Sequence, residues 1–94
     1  MVNMVTLIGR IAEINKDDIV IKVIRPYKND KGIYDTDLIP IKVSTRIMEH
    51  INEYVHIDDM VGIKGRIVTD DMRISIEADK VTFLASKQIA EGGE

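Results

Sequence analysis

The chain of 94 residues is long enough for one hydrophobic core and too short for two, so we expect a single domain. It contains no cysteine, which excludes a disulfide framework and a thiolate site, and no apolar run approaches the roughly 20 residues that cross a bilayer. The formal net charge of −3 is the opposite of what phosphate binding usually requires. The first ten residues lack the features of a secretory signal, so we expect a cytoplasmic location.

The charges are segregated along the chain rather than mixed. Residues 19–34 carry four cations against one carboxylate, Asp30; the cations are Lys22, Arg25, Lys28 and Lys31. Residues 49–59 carry four carboxylates and neither Lys nor Arg; these are Glu49, Glu53, Asp58 and Asp59. A local basic segment can therefore meet phosphates despite the negative total.

Alternating β-branched residues predict five strands, over residues 4–14, 19–25, 36–43, 60–68 and 72–84. Gly9 predicts a bend or bulge in the first strand, and a register break near Asp79 is needed to keep Ile76 and Val81 on one face. The same alternation turns Phe83 inward. Residues 26–35 form a polar loop or a protruding hairpin that extends both neighbouring strands.

One helix is predicted over residues 45–55, where Ile47, Ile51 and Val55 recur at every fourth position. Ser44 or Thr45 can cap its N-terminus. Tyr54 shares the helical spacing, so we expect it to pack in the core or against the helix rather than to bind a ligand. The order of strand, strand, strand, helix, strand, strand is that of an all-β, five-stranded oligonucleotide-binding (OB) barrel with one short helix between strands 3 and 4. We assign the barrel to residues 1–86 and a flexible tail to residues 87–94.

Four segments resemble the bacterial single-stranded DNA-binding proteins in order and spacing. They are MVNMVTLIGRI at 1–11, RPYKNDKGIYDTDLIPIKV at 25–43, EYVHIDDMVGIKGRI at 53–67 and ADKVTFL at 78–84. The resemblance implies an OB fold and sequence-independent binding of single-stranded DNA in replication, recombination or repair. The chain departs from the family in its short turns, in Leu38 and Ser44 where aromatics are usual, and in lacking an acidic tail that ends in Phe. It is also similar to primosomal replication protein B, a tail-less dimeric relative.

Tyr27 is the first candidate for the nucleic-acid site, because the resemblance places it where family members stack a base. Arg25 and Lys28 flank it as phosphate partners, and Tyr34 lies across the same turn. Further cations occupy outward strand positions; they are Lys22, Lys42, Arg10, Arg66 and Arg73. The alternative interpretation is a tyrosine that covers the barrel rim and cations that are ordinary solvent-facing residues.

Neither a catalytic nor a metal site is predicted. The Asp pairs at 17–18, 58–59 and 70–71 lie in turns, and His50 and His56 lack a third ligand at metal spacing. We therefore expect a non-enzymatic binder of single-stranded DNA, or of RNA through the same surface, without a cofactor. The rival hypothesis is an OB-fold assembly subunit that contacts a protein partner through the acidic residues of 49–59.

A homodimer or homotetramer is expected as well. The core is small, and Met4, Thr6 and Ile8 lie on the face of the first strand that the barrel does not need. The resemblance implies that this strand pairs with its copy across a two-fold axis.

Overall fold

A computed structural model describes residues 1–86, and the predicted tail at 87–94 lies outside the described residues. Five strands and one helix follow the predicted order. They are β1 (Val5–Ile14), β2 (Asp18–Lys28), β3 (Tyr34–Lys42), α1 (Thr45–Tyr54), β4 (Met60–Asp70) and β5 (Arg73–Ala85). No helix in residues 1–86 is long and apolar enough to span a membrane.

The strands close into a barrel in the order β1-β2-β3-β5-β4, so the predicted OB architecture is confirmed. All neighbours are antiparallel except β3 and β5, which run parallel and pair only at Ile41 with Ile76 and Lys42 with Glu77. The interior is aliphatic, as the β-branched alternation requires; the buried apolar residues are Ile11, Ile19, Ile21, Ile41, Met48, Ile51, Val55, Val61 and Ile63. The helix supplies two of these side chains, Met48 and Ile51, and its C-cap residue Val55 supplies a third.

Two register shifts shape the barrel. The β4–β5 ladder passes from Lys64–Lys80 to Gly65–Ala78, which leaves Asp79 unpaired and confirms the predicted break. The shift in β1 falls between Ile11 and Glu13 rather than at Gly9. Gly9 has a different role: a Cβ there would lie 2.5 Å from the backbone oxygen of Lys22, so the residue permits a close approach of β2.

β2 and β3 are longer than the alternation indicated, because the segment between them is a hairpin rather than a loop. Its tip is an Asx turn in which the Asn29 Oδ1 accepts hydrogen bonds from the backbone N–H groups of Lys31 (2.8 Å) and Ile33 (3.1 Å). Gly32 takes the positive φ of 76° that the tip needs. From residue 23 to residue 39 the two strands pair only with each other, and we call this projecting part the β2–β3 arm.

The helix is capped by Ser44, whose hydroxyl accepts from the Ile47 N–H at 3.2 Å. Tyr54 packs on the helix surface rather than in the core. It is 56% exposed and its ring packs against His50 on the same helix, with centroids 4.8 Å apart, because Met48, Ile51 and Val55 fill the buried stripe. The inward placement expected for Phe83 is wrong. Phe83 is 43% exposed, since it pairs near the open end of the β4–β5 ladder, next to the shift between Met60 and Val61.

Candidate nucleic-acid interface

The strand register assembles a row of side chains on the outer face of the barrel. Lys22 on β2 lies directly opposite Leu38 on β3 and directly opposite Arg10 on β1. Leu38 is 61% exposed, so an apolar side chain stands beside two cations. The Arg10 guanidinium donates to the backbone oxygen of Asp58 at 3.0 Å, which fixes its position without neutralising its charge. The row offers both an apolar surface and positive charge to a ligand.

A groove of about 250 Å³ runs along this row where β1 and β2 separate. Its walls include Arg10 and Lys22, and its apolar part is formed by Ile8, Ile24 and Met60. Ile24 is 62% exposed and lies opposite Thr36, at the base of the arm. A flat apolar group bearing an anion matches this combination of surfaces.

The arm presents both candidate tyrosines. Tyr27 is 62% exposed and Tyr34 is 51% exposed. Lys28 pairs with Tyr34 across the hairpin, and its Nζ lies 5.7 Å from the ring centroid, within reach of a cation–π interaction. The ladder is broken between Ile24 and Lys28, where Pro26 has no N–H to donate, so the segment that contains Tyr27 bulges from the strand.

Arg25, two residues before Tyr27 in the sequence, is not free. Its guanidinium donates two hydrogen bonds to Asp37, from Nε to Oδ2 at 3.0 Å and from Nη2 to Oδ1 at 2.9 Å. Asp35 lies 3.9 Å away. The hydrogen bond and the opposite charge raise the pKa of Arg25 and lower the pKa of Asp37. Arg25 therefore meets any incoming phosphate as half of a bidentate ion pair.

The net positive charge that the sequence indicates for residues 19–34 is balanced by carboxylates in the folded arm. The arm carries three cations and three carboxylates, because β3 brings Asp35 and Asp37 beside the positive charges of β2. Neither aspartate was identified from the sequence. The available signal was the turn: a hairpin centred on residues 29–32 places residue 25 opposite residues 35–37.

The remaining predicted cations lie elsewhere on the barrel. Lys42 stands opposite Asp18 on β2 and opposite Glu77 on β5. Arg66 pairs with Glu77 at 2.9 Å and with Asp79. Lys42 and Arg66 line a cavity of about 620 Å³ whose other charged residues are Asp17, Asp18, Glu77 and Asp79. This cavity is mixed in charge and does not continue the basic row. Arg73 lies at the β4–β5 turn, opposite Asp70.

The acidic surface expected on residues 49–59 is smaller than predicted. Asp59 is 4% exposed and turned inward, where its Oδ2 accepts from the His56 N–H at 2.8 Å. Glu49 and Glu53 remain exposed on the helix. Within residues 1–86, no group of three or more His, Cys, Asp and Glu residues is placed to hold a metal ion.

Comparison with known proteins gives one sequence relative and several solved structures. No family model matches the chain. A single-stranded DNA-binding protein of Oceanobacillus iheyensis is 28% identical over an alignment of 113 positions that covers all of this chain and 70% of the relative. This chain resembles the single-stranded DNA-binding proteins.

The solved structures agree on the fold. The Plasmodium falciparum single-stranded DNA-binding protein, in complex with single-stranded DNA, superposes with a TM-score of 0.70 at 17% identity, over 89% of this chain and 96% of that chain. Rim1, a mitochondrial single-stranded DNA-binding protein of S. cerevisiae, gives 0.67 at 15% identity, over 88% and 93%. A deletion mutant of the Thermus aquaticus protein gives 0.68 at 13% identity, over 93% and 52%.

Proposed function

We propose that this chain is a non-enzymatic cytoplasmic protein that binds single-stranded DNA without sequence preference in DNA replication, recombination or repair. The observation that carries the proposal is the outer surface of β2 and β3. There, exposed Tyr27, Tyr34 and Leu38 lie near Lys22 and Lys28 on an OB barrel. Sequence similarity to a protein named for this activity supports the same function.

Bases would stack on the two tyrosines while the backbone phosphates meet the cations. Stacking on an aromatic ring is worth about 1–3 kcal/mol per base and tolerates any base. Leu38 offers apolar contact but no ring, so we expect weaker binding than with a full set of aromatic platforms. Nothing in this surface matches the paired donors and acceptors that read base edges, so base identity should matter little.

Salt dependence follows from the charges that remain available. Arg10, Lys22 and Lys28 are not held by carboxylates among the described residues. Each phosphate neutralised on a single strand contributes about −0.7 to the slope of log K against log salt, so three contacts predict a slope of about −2. Affinity should therefore fall with added salt, though less steeply than a count of the basic residues in 19–34 would suggest.

The proposal includes a second copy of the chain. Residues 5–9 of β1 pair with β4 along one edge, whereas β2 pairs with β1 only from Arg10 onward. This leaves part of one β1 edge open, beside Met4 (62% exposed) and Ile8 (58% exposed). Pairing of two β1 edges would satisfy the free backbone groups and cover this apolar surface. Linked sites would also raise the apparent affinity for a long strand.

A titration of labelled oligo-dT at several salt concentrations tests the proposal. The expected result is saturable binding that weakens linearly on the double-logarithmic plot, with similar affinities for oligo-dT and mixed-sequence single strands. Oligo-rU in a parallel titration separates DNA from RNA preference. Absence of binding to every oligonucleotide at low ionic strength would refute the proposal.

A further inference from the structure

The Arg25–Asp37 ion pair is placed at the interface but is not explained by the stability of the fold. Both side chains are about 42% exposed, and exposed ion pairs of this kind contribute little to folding. The pair lies in the arm, away from the closed part of the barrel, where Asp37 stands opposite Val23 in the ladder. Its geometry is nevertheless bidentate, the arrangement that a guanidinium also uses for a phosphate.

Asp37 and Asp35 have different functions. Asp35 accepts a hydrogen bond from the Asn29 amide at 3.0 Å and so supports the turn at the arm tip. Its distance of 3.9 Å from Arg25 is too long for a hydrogen bond. Both oxygens of Asp37 are used by Arg25, and no other hydrogen bond of Asp37 is seen among the described residues. Asp37 is therefore the group that a phosphate would have to replace.

We propose that Asp37 is a competitor for DNA built into the binding surface: it occupies Arg25 in the free protein, and a phosphate of the strand must displace it. The inference rests on the proposed function. Displacement exchanges one anion for another at Arg25 and leaves Asp37 exposed to recruit a cation from solution. Binding through Arg25 therefore releases no net counterion, and Arg25 adds nothing to the salt slope.

Removal of the competitor should turn Arg25 into an ordinary phosphate contact. Asp37→Asn keeps the shape of the side chain and removes its charge. We expect oligo-dT to bind about two- to fivefold more tightly at low salt, the range that an exposed ion pair can account for. The slope of log K against log salt should become steeper by about 0.7, one additional phosphate contact. Asp37→Ala should give the same two changes.

Asp30→Asn is the matched control. Asp30 lies at the tip of the same arm, is exposed and makes no ion pair among the described residues. Its removal changes the net charge of the arm by the same amount but does not release Arg25. A second control is Asp37→Asn in an Arg25→Ala background, where it should leave the salt slope unchanged because there is no arginine to release.

The outcomes separate this inference from the proposed function. Wild-type binding together with equal effects of Asp37→Asn and Asp30→Asn would overturn the inference alone, because the gain would then reflect general charge. An unchanged salt slope in Asp37→Asn would overturn it as well. Failure of the wild type and of all the variants to bind oligo-dT, with melting curves that show each to be folded, would overturn both. Wild-type binding that becomes tighter, with a steeper salt slope, in Asp37→Asn and Asp37→Ala but not in Asp30→Asn would support the competitor directly.

Discussion

Gly65 occupies a position in β4 where any side chain meets backbone. An ideal Cβ on this residue would lie 2.1 Å from the carbonyl oxygen of Glu77 and 3.1 Å from the Cα of Ala78. Ordinary contact begins near 3.4 Å, so Gly65→Ala requires the β5 backbone to move by more than 1 Å. The movement falls beside the unpaired Asp79, where the ladder has already shifted. We expect Gly65→Ala to lower the free energy of unfolding by about 1–3 kcal/mol or more, which is typical of overpacking that side-chain rotation cannot relieve.

Gly62 provides the control within the same strand. Its Cβ would meet only the Leu84 Cδ1, at 3.6 Å, which is an ordinary contact. Gly62→Ala should change the free energy of unfolding by less than about 1 kcal/mol, and the reduced freedom of the unfolded chain makes stabilisation the expected direction.

Thermal and urea unfolding, followed by circular dichroism at one fixed protein concentration, measure both variants. For a domain of this size each kcal/mol corresponds to about 4–8 °C in Tm, so Gly65→Ala should melt many degrees below the wild type. Equal Tm values for the two variants would show that β5 does not approach Gly65 as closely as the structure indicates.

The remaining predictions concern the ligand, the assembly and the surface charge. Tyr27→Ala should weaken oligo-dT binding by about 1–3 kcal/mol with an unchanged salt slope, whereas Lys28→Ala should weaken it and reduce the magnitude of the slope by about 0.7. A salt slope that is unchanged in Lys28→Ala as well as in Tyr27→Ala would count against a phosphate contact at Lys28. Ile8→Glu should lower the mass measured by light scattering to that of a monomer, since it places a charge on the apolar side of β1; a wild type that is already monomeric would remove the basis for this test. Lys80→Glu should raise Tm at low salt, because Lys80 stands directly opposite Lys64.

Much of the barrel could be predicted because local patterns carry it. The alternation in each strand specifies an inward face. In β5, Ile76 and Val81 are an odd number of residues apart, so both can point inward only if the register breaks between them. This predicts the shift at Asp79. Helical spacing and a capping serine likewise located α1. These signals depend on neighbours within a few residues, which is the range over which a sequence can be interpreted directly.

The interface was less accessible because its state depends on pairs that are distant in the chain. Arg25 is twelve residues from Asp37, and their contact depends on a bulge and on the exact turn at the arm tip. Arg66 and Asp79 are joined in the same way across the β4–β5 hairpin. Each cation was identified from its sequence position, but whether it is available to a phosphate is decided by the strand that folds beside it. Cross-strand register therefore has to be known before local charge can be interpreted.

The Lys64–Lys80 pair tests this reasoning on stability alone. Lys64 and Lys80 stand directly opposite each other in the β4–β5 ladder, and the nearby carboxylates Glu77 and Asp79 are engaged by Arg66. Directly opposed like charges destabilise a sheet by about 0.2–1 kcal/mol, and Lys80→Glu converts the repulsion into attraction. Lys42→Glu is the matched reversal, since Lys42 stands opposite Asp18 and Glu77, and it should lower Tm. Both changes should shrink as salt is added, because screening weakens exposed charge pairs. Shifts of the same sign in the two variants would show that net charge, rather than register, governs the stability of this surface.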